Sequence, residues 1–247
     1  MNQRRLSYVR VFYHKLILLD TMILMVKFFV GNGVLARPGT GVATGLLGLF
    51  LLLTLTVHLR AWQRVDWQVL HITQALLPRT VDVPFSLLSL IGSAEVTGSI
   101  FLILLWRTRA PRRLPLVLAF GGATLIELVG KTVVYQPLTP HEFLRYVPLV
   151  PLLSSRIHPG FAYPSGHALR AAFLGLVLAE MLLSSRMHCA TKIVLGGLLL
   201  AFEVVMLVSR VYLAEHWCTD VVGGVLLGAA GALLALHNEI HLRGKVV

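Results

Sequence analysis

Three short polar clusters interrupt an otherwise apolar chain of 247 residues. YPSGHALR, residues 163–170, stands at the mouth of the apolar run AAFLGLVLAEMLL. Spanning lipid does not call for this string. SRVYLAEHWCTD, residues 209–220, closes a second apolar run and leads into a third. ELVGKTVVYQPLTPHEFLRY, residues 127–146, closes another, with Lys131 one turn after Glu127. Ionisable groups at the edge of a membrane core are costly and mark a functional site by default. Each cluster alone has a plain explanation: a snorkelling lysine or arginine, or Ser165 as a helix N-cap. Their convergence on one side of the membrane does not.

The residue types suit an anion. Ser165 and Gly166 at a helix start present backbone N–H groups, and the helix dipole adds positive potential. Lys131 and Arg210 add fixed charge, and a guanidinium can hold phosphate oxygens in a fork. His216 and Asp220 are four apart, so a helix start can set the carboxylate on one imidazole nitrogen and make the other a nucleophile. His167, on a different segment, can protonate a leaving oxygen. The set reads as phosphoryl transfer by in-line displacement. His141, Glu142, His158, His167 and His216 lack the spacing of a metal motif, and the nearby cations would repel a metal, so no metal is expected.

These residues must be positioned by membrane helices. The chain is 56% hydrophobic and only 13% charged, half the charge of an ordinary soluble domain. Six apolar stretches, near 41–59, 84–106, 114–134, 166–184, 191–210 and 219–237, are each long enough to cross a hydrocarbon core. All should be helical, because lipid offers the backbone no other partner. Residues 60–83, with Trp62 and Trp67, read as an amphipathic helix on the outer face, either a plain anchor or the wall of a lipid-entry groove. Residues 11–36 carry His14, Lys15, Asp20 and Lys27 and read as an interfacial helix. The expected fold is all-α integral membrane, a six-transmembrane-helix bundle with those two extra helices. It forms a single membrane domain over 1–247, with a basic N-terminal segment over 1–40 and a core over 41–238.

The net charge of +11 fits cytoplasmic loops facing anionic lipid rather than nucleic acid. Arg107, Arg109, Arg112 and Arg113 share one loop. With Arg186, Lys192, Arg243, Lys245 and the N-terminal basic residues, they fall on one side of a six-span layout. Both termini are therefore expected in the cytoplasm, and the polar clusters outside. The same layout separates Cys189 from Cys218 and excludes a disulfide between them.

PSGH at 164–167 together with Ser209, Arg210, His216 and Asp220, spaced as Ser-Arg, five residues, His, three residues, Asp, resembles the type 2 phosphatidic acid phosphatase superfamily. The likeness runs from about 80 to 238. It implies a six-helix core and a metal-independent, cofactor-free lipid phosphate phosphatase of the cell membrane. In that family's pattern His216 is the nucleophile that becomes phosphohistidine, Asp220 its orienting partner, and His167 the acid and then the base. Lys131, Ser165, Gly166 and Arg210 hold the phosphate. One position departs: the first motif calls for Lys, six residues, then Arg-Pro, and Leu138 stands where the arginine belongs. Arg145, in the same outer loop, is the expected replacement, with Arg170 second. Undecaprenyl or other isoprenyl diphosphates, phosphatidic acid and phosphatidylglycerol phosphate are the implied substrates. A lipid phosphotransferase using the same phosphohistidine, a non-catalytic lipid-phosphate binder and a transporter are the alternatives. Glu95, Glu180 and Glu203 are the buried charges that favour the last, although Glu203, two turns before Arg210, can instead support it.

Overall fold

A computed structural model describes residues 40–148 and 160–243, with side chains described to 237. The interfacial helix expected over 11–36 and the N-terminal basic residues lie outside the described residues, as does His158. Among the described residues every regular element is helical. They are α1 (Thr40–His58), α2 (Gln63–Leu76), α3 (Asp82–Ile91), α4 (Ala94–Arg107), α5 (Ala110–Val133), α6 (Gly166–Leu183), α7 (Cys189–Tyr212) and α8 (Cys218–Arg243).

Five of these, α1, α5, α6, α7 and α8, are long and apolar enough to cross a membrane singly. The stretch expected as one span near 84–106 is instead two helices, α3 and α4, meeting at a 47° bend. Gly92 and Ser93 make the break. Ser93 caps α4 by accepting a hydrogen bond from the Val96 N–H at 3.3 Å, which satisfies a helix-start donor that an unbroken span would have paired with its own backbone. Counting the bent pair as one span gives up to six. The chain is a multi-pass membrane protein.

Burial orders the bundle. Two-thirds of the 218–237 stretch of α8 is buried, against 6% of α7. Helix α8 is therefore the hub and packs on α6, α1 and α5. Helix α7 presents Ile193, Val194 and Leu198 outward, and α1 presents Leu51 and Leu52. Such an exposed apolar band is a bilayer-facing surface. The hub's contact with α6 depends on glycine. A Cβ at Gly224 would strike the Ser165 carbonyl and lie 2.9 Å from the Ala168 Cβ, and one at Gly228 would strike the Leu169 carbonyl. This four-residue spacing of glycines lets two backbones touch. It draws the PSGH segment onto the first turns of α8, where the Ser165 N–H donates to the Asp220 carbonyl at 2.9 Å.

Helix α2 falls within 60–83, as the sequence suggests, but it is more than a surface anchor. Its Asp66 and Leu70 are buried. Trp67, expected at headgroup level, packs edge-on against Trp217 with ring centroids 5.1 Å apart, and against Phe143 at 5.4 Å. Cys189 and Cys218 are both free.

Candidate active site

The turn between α7 and α8 carries the first half of the site. It closes because Ala214 takes a left-handed backbone, φ 55°, a conformation that costs a non-glycine residue energy and persists only where its surroundings enforce it. The enforcement is visible: Ala214 is fully buried, and the Thr139 hydroxyl donates to its carbonyl. The Arg210 carbonyl then accepts from the N–H groups of both Glu215 (3.1 Å) and His216 (3.3 Å). The backbone thus fixes His216 relative to Arg210 before either side chain acts.

Helix α6 carries the second half. Ser165 is its N-cap, accepting from the Ala168 N–H at 3.4 Å. His167 follows in the first turn, its ring against the bend at Gly92, where a Cβ would lie 2.8 Å from the His167 Cδ2. The ring centroids of His167 and His216 lie 6.5 Å apart with their planes tilted by 59°, so two imidazoles from different elements are neighbours in the site.

His216 and Asp220 approach more loosely than a hydrogen bond. His216 Nδ1 is 3.5 Å from Asp220 Oδ2 and has no hydrogen-bond partner. That oxygen already accepts from the Trp217 N–H at 2.9 Å. The expected orienting contact is thus a close approach of the two groups and not a hydrogen bond. Burial, reinforced by the charge of Lys131, pushes His216 down to about 3. A depressed value leaves the imidazole neutral from neutral pH down to the acid range, and a neutral ring is the nucleophilic form.

The cations arrive paired. Lys131 Nζ donates to Glu127 Oε1 at 2.7 Å, and Arg170 Nη1 donates to Glu127 Oε2 at 3.2 Å. Glu127 lies so tightly under the start of α6 that any Cβ at Gly166 would collide with its carboxylate. This accounts for glycine at 166 in steric terms. Arg210 is fully buried and ion-paired to Glu215. Glu203, one of the two readings of which placed it in support of Arg210, instead sits against Gly175, with its Oε1 2.7 Å from where a Cβ would be. The carboxylate that serves Arg210 is Glu215.

The first-motif segment runs past the same turn. Leu138 is half exposed. Gln136, two residues earlier, is buried and donates through Nε2 to Asp66 Oδ2 and to Thr219 Oγ1, both at 3.1 Å. Asp66 also accepts from the Thr219 N–H (2.9 Å) and hydroxyl (2.8 Å), so α2 caps the first turn of α8 beside Asp220. Burial, opposed by these hydrogen bonds, raises the Asp66 carboxyl. Arg145 lies with its guanidinium 4.9 Å from the Tyr212 ring centre and its N–H on the Leu213 carbonyl at 3.1 Å. Its Nη1 is buried without a hydrogen-bond partner. Tyr146 follows, its phenol raised by burial and by the Glu215 carboxylate. The sequence did not single out Asp66, Gln136, Glu215 or Ser89, whose hydroxyl accepts from Arg210 Nη1 at 2.6 Å. Only the lone aspartate in an amphipathic helix and the acidic neighbour of His216 offered a signal. Among the described residues no three His, Cys, Asp or Glu side chains converge as a metal-ligand group.

Two neighbouring imidazoles, with a carboxylate near one of them and cations close by, form a polar cluster in a helical membrane bundle. The chain belongs to the PAP2 superfamily, whose sequence model matches residues 112–240, and with that to a class of membrane phosphatases, phosphoric monoester hydrolases. Its fold is similar to that of a transmembrane PAP2-type phosphatidylglycerolphosphate phosphatase from Bacillus subtilis. The TM-score is 0.63 at 24% identity, over 83% of this chain and 97% of that one. It is also similar to LpxE from Aquifex aeolicus, with a TM-score of 0.53 at 22% identity, over 70% and 94%. A search of curated protein sequences gave no match.

Proposed function

We propose that the protein removes the phosphate, or the terminal phosphate of a diphosphate, from a membrane lipid by way of a phosphohistidine on His216. The neighbouring imidazoles of His167 and His216 carry this reading. His216 Nδ1 faces Asp220, which leaves Nε2 to attack phosphorus. The lipid alkoxide or lipid phosphate departs with a proton from His167. His167 then takes a proton from water, whose oxygen attacks the phosphohistidine and releases inorganic phosphate with His216 restored. Lys131, Arg210 and the start of α6 at Ser165 and Gly166 hold the equatorial oxygens where charge builds. The cycle needs no metal or cofactor.

The site lies at the end of α5 that bears Lys131. The basic cluster with Arg107, Arg109, Arg112 and Arg113 lies at the other end of that 24-residue helix, which is about 36 Å long at 1.5 Å per residue. By the positive-inside rule this charge distribution supports a cytoplasmic location for the basic cluster and both termini and an extracytoplasmic one for the site. Undecaprenyl or isoprenyl diphosphate, phosphatidic acid and phosphatidylglycerol phosphate all present a suitable group. The phosphatidylglycerolphosphate phosphatase of similar fold favours the last.

Phosphate release by the detergent-purified protein, measured with EDTA on a panel of these lipids, tests the reading. Release that persists in EDTA on at least one lipid is expected. Release that requires added metal, or none on any lipid, would contradict it. Arg145 is the proposed stand-in for the missing first-motif arginine: Arg145 Nη1 and Arg170 Nε both lack a hydrogen-bond partner, but Arg170 is already ion-paired to Glu127. Arg145→Ala should raise KM about tenfold, the value of one charge-assisted hydrogen bond. Unchanged kinetics in that variant would assign the role elsewhere.

A further inference from the structure

Arg210 has no donor to spare. A guanidinium has five N–H groups, and the protein takes all of them. Nε donates to Ser209 Oγ at 3.3 Å. One Nη2 hydrogen goes to the same oxygen at 2.8 Å and the other to the Phe85 carbonyl at 3.4 Å. Nη1 serves Ser89 Oγ at 2.6 Å and the Glu215 carboxylate. The Ser89 hydroxyl in turn lies 3.2 and 3.3 Å from the two Glu215 oxygens. A phosphate can reach this guanidinium only by displacing a partner. Four of the five contacts are to hydroxyls or a carbonyl packed into the bundle. The fifth is Glu215, whose side chain is 21% exposed.

From this inventory we infer that Glu215 is a displaceable counter-ion of the phosphate site and sets its selectivity by charge. The inference rests on Arg210 being a phosphate ligand, as proposed above. The other carboxylate of the site behaves differently. Glu127 is only 4% exposed at its side chain and bridges two cations, Lys131 and Arg170, so one positive charge remains over when it stays in place. Arg210 and Glu215 pair one to one, and an incoming anion must outbid a full negative charge. A phosphomonoester or terminal phosphate carries about −1.5 to −2 near neutral pH and can do so. A phosphodiester carries one charge and cannot gain by the exchange. The bulk phospholipids around the site are phosphodiesters and outnumber any lipid phosphate, so a resident carboxylate keeps their headgroups off Arg210.

The test compares wild type with Glu215→Gln, which keeps shape and removes charge. Inorganic phosphate binding is measured by calorimetry, and lipid phosphate turnover is measured in micelles with and without added phosphatidylglycerol. The variant should bind inorganic phosphate about tenfold more tightly, show a lower KM with kcat changed less than KM, and become sensitive to inhibition by phosphatidylglycerol that leaves wild type unaffected. Weaker or unchanged phosphate binding in the variant would overturn the counter-ion role and make Glu215 a positioner of Arg210. If wild type turns over no lipid, the phosphatase reading fails, but the calorimetric comparison still decides the counter-ion question. A Glu215→Gln protein that loses its thermal transition is replaced by Glu215→Ala, for which the same directions are expected.

Discussion

Replacing His216 with alanine is expected to lower lipid phosphate turnover by about 10⁵-fold or more, to the level of background hydrolysis. The size follows from the role. A variant that loses a binding cation still has the nucleophile and both protons in place. A variant without His216 has nothing to accept the phosphoryl group, and water must attack directly in a site built around an imidazole. The neutral state of His216, set by its burial, has a second consequence. Its folded value lies below its unfolded one, so the nucleophile stays unprotonated as pH falls from 7 toward 5. Phosphate release by wild type and His216→Ala, normalised to folded protein, checks the prediction. Turnover within tenfold of wild type would remove His216 from the covalent step.

Asp220→Asn should lower kcat by about 10³- to 10⁴-fold, the scale seen when the orienting carboxylate of a catalytic triad is neutralised, with KM changed less than about threefold. Asp220 is fully buried. Its Oδ2 accepts from the Trp217 N–H and faces His216 Nδ1, while its Oδ1 has no hydrogen-bond partner. An asparagine oxygen can keep the Trp217 bond and so the turn. That oxygen is also the one that faces His216 Nδ1, so the amide N–H takes the place of Oδ1 and the imidazole meets a neutral carbonyl oxygen instead of a carboxylate. The substitution thereby weakens the hold on the tautomer with the proton on Nδ1 and withdraws the charge that stabilises the ring as it becomes phosphorylated. Steady-state kinetics on the variant separate the outcomes. A fall in affinity with kcat intact would make Asp220 a structural cap of α8 rather than the partner of His216.

The spans were legible in the sequence because lipid makes hydropathy and helix nearly the same signal. All six stretches correspond to helices, and the amphipathic 60–83 segment does too. The bend between α3 and α4 was not legible. Its apolar pattern continues through Gly92 and Ser93, and only the packing of His167 and Met206 against Gly92 shows why a turn is needed there. The candidate cluster was readable because its residue types are costly in a membrane and so stand out. What orders that cluster was not. Glu215 looks like any charged loop residue, and Asp66 like the polar side of a surface helix, until tertiary contact brings one to Arg210 and the other to Thr219. Counting from Lys131 to Leu138 pointed to a missing arginine. The residue that folding turns inward near that position is Gln136, because the Trp217 indole N–H on the Pro137 carbonyl at 2.6 Å and the Thr139 hydroxyl on the Ala214 carbonyl fix the segment's direction. Spacing alone carries no such information.

The central claim is a covalent intermediate on His216, and the stereochemical course at phosphorus tests it most directly. A lipid thiophosphate made chiral with oxygen isotopes is hydrolysed in labelled water, and the configuration of the released inorganic thiophosphate is determined. Two in-line displacements, first by His216 and then by water, predict net retention. Net inversion would mean that water attacks the lipid phosphate in a single step, and the phosphohistidine account would be wrong.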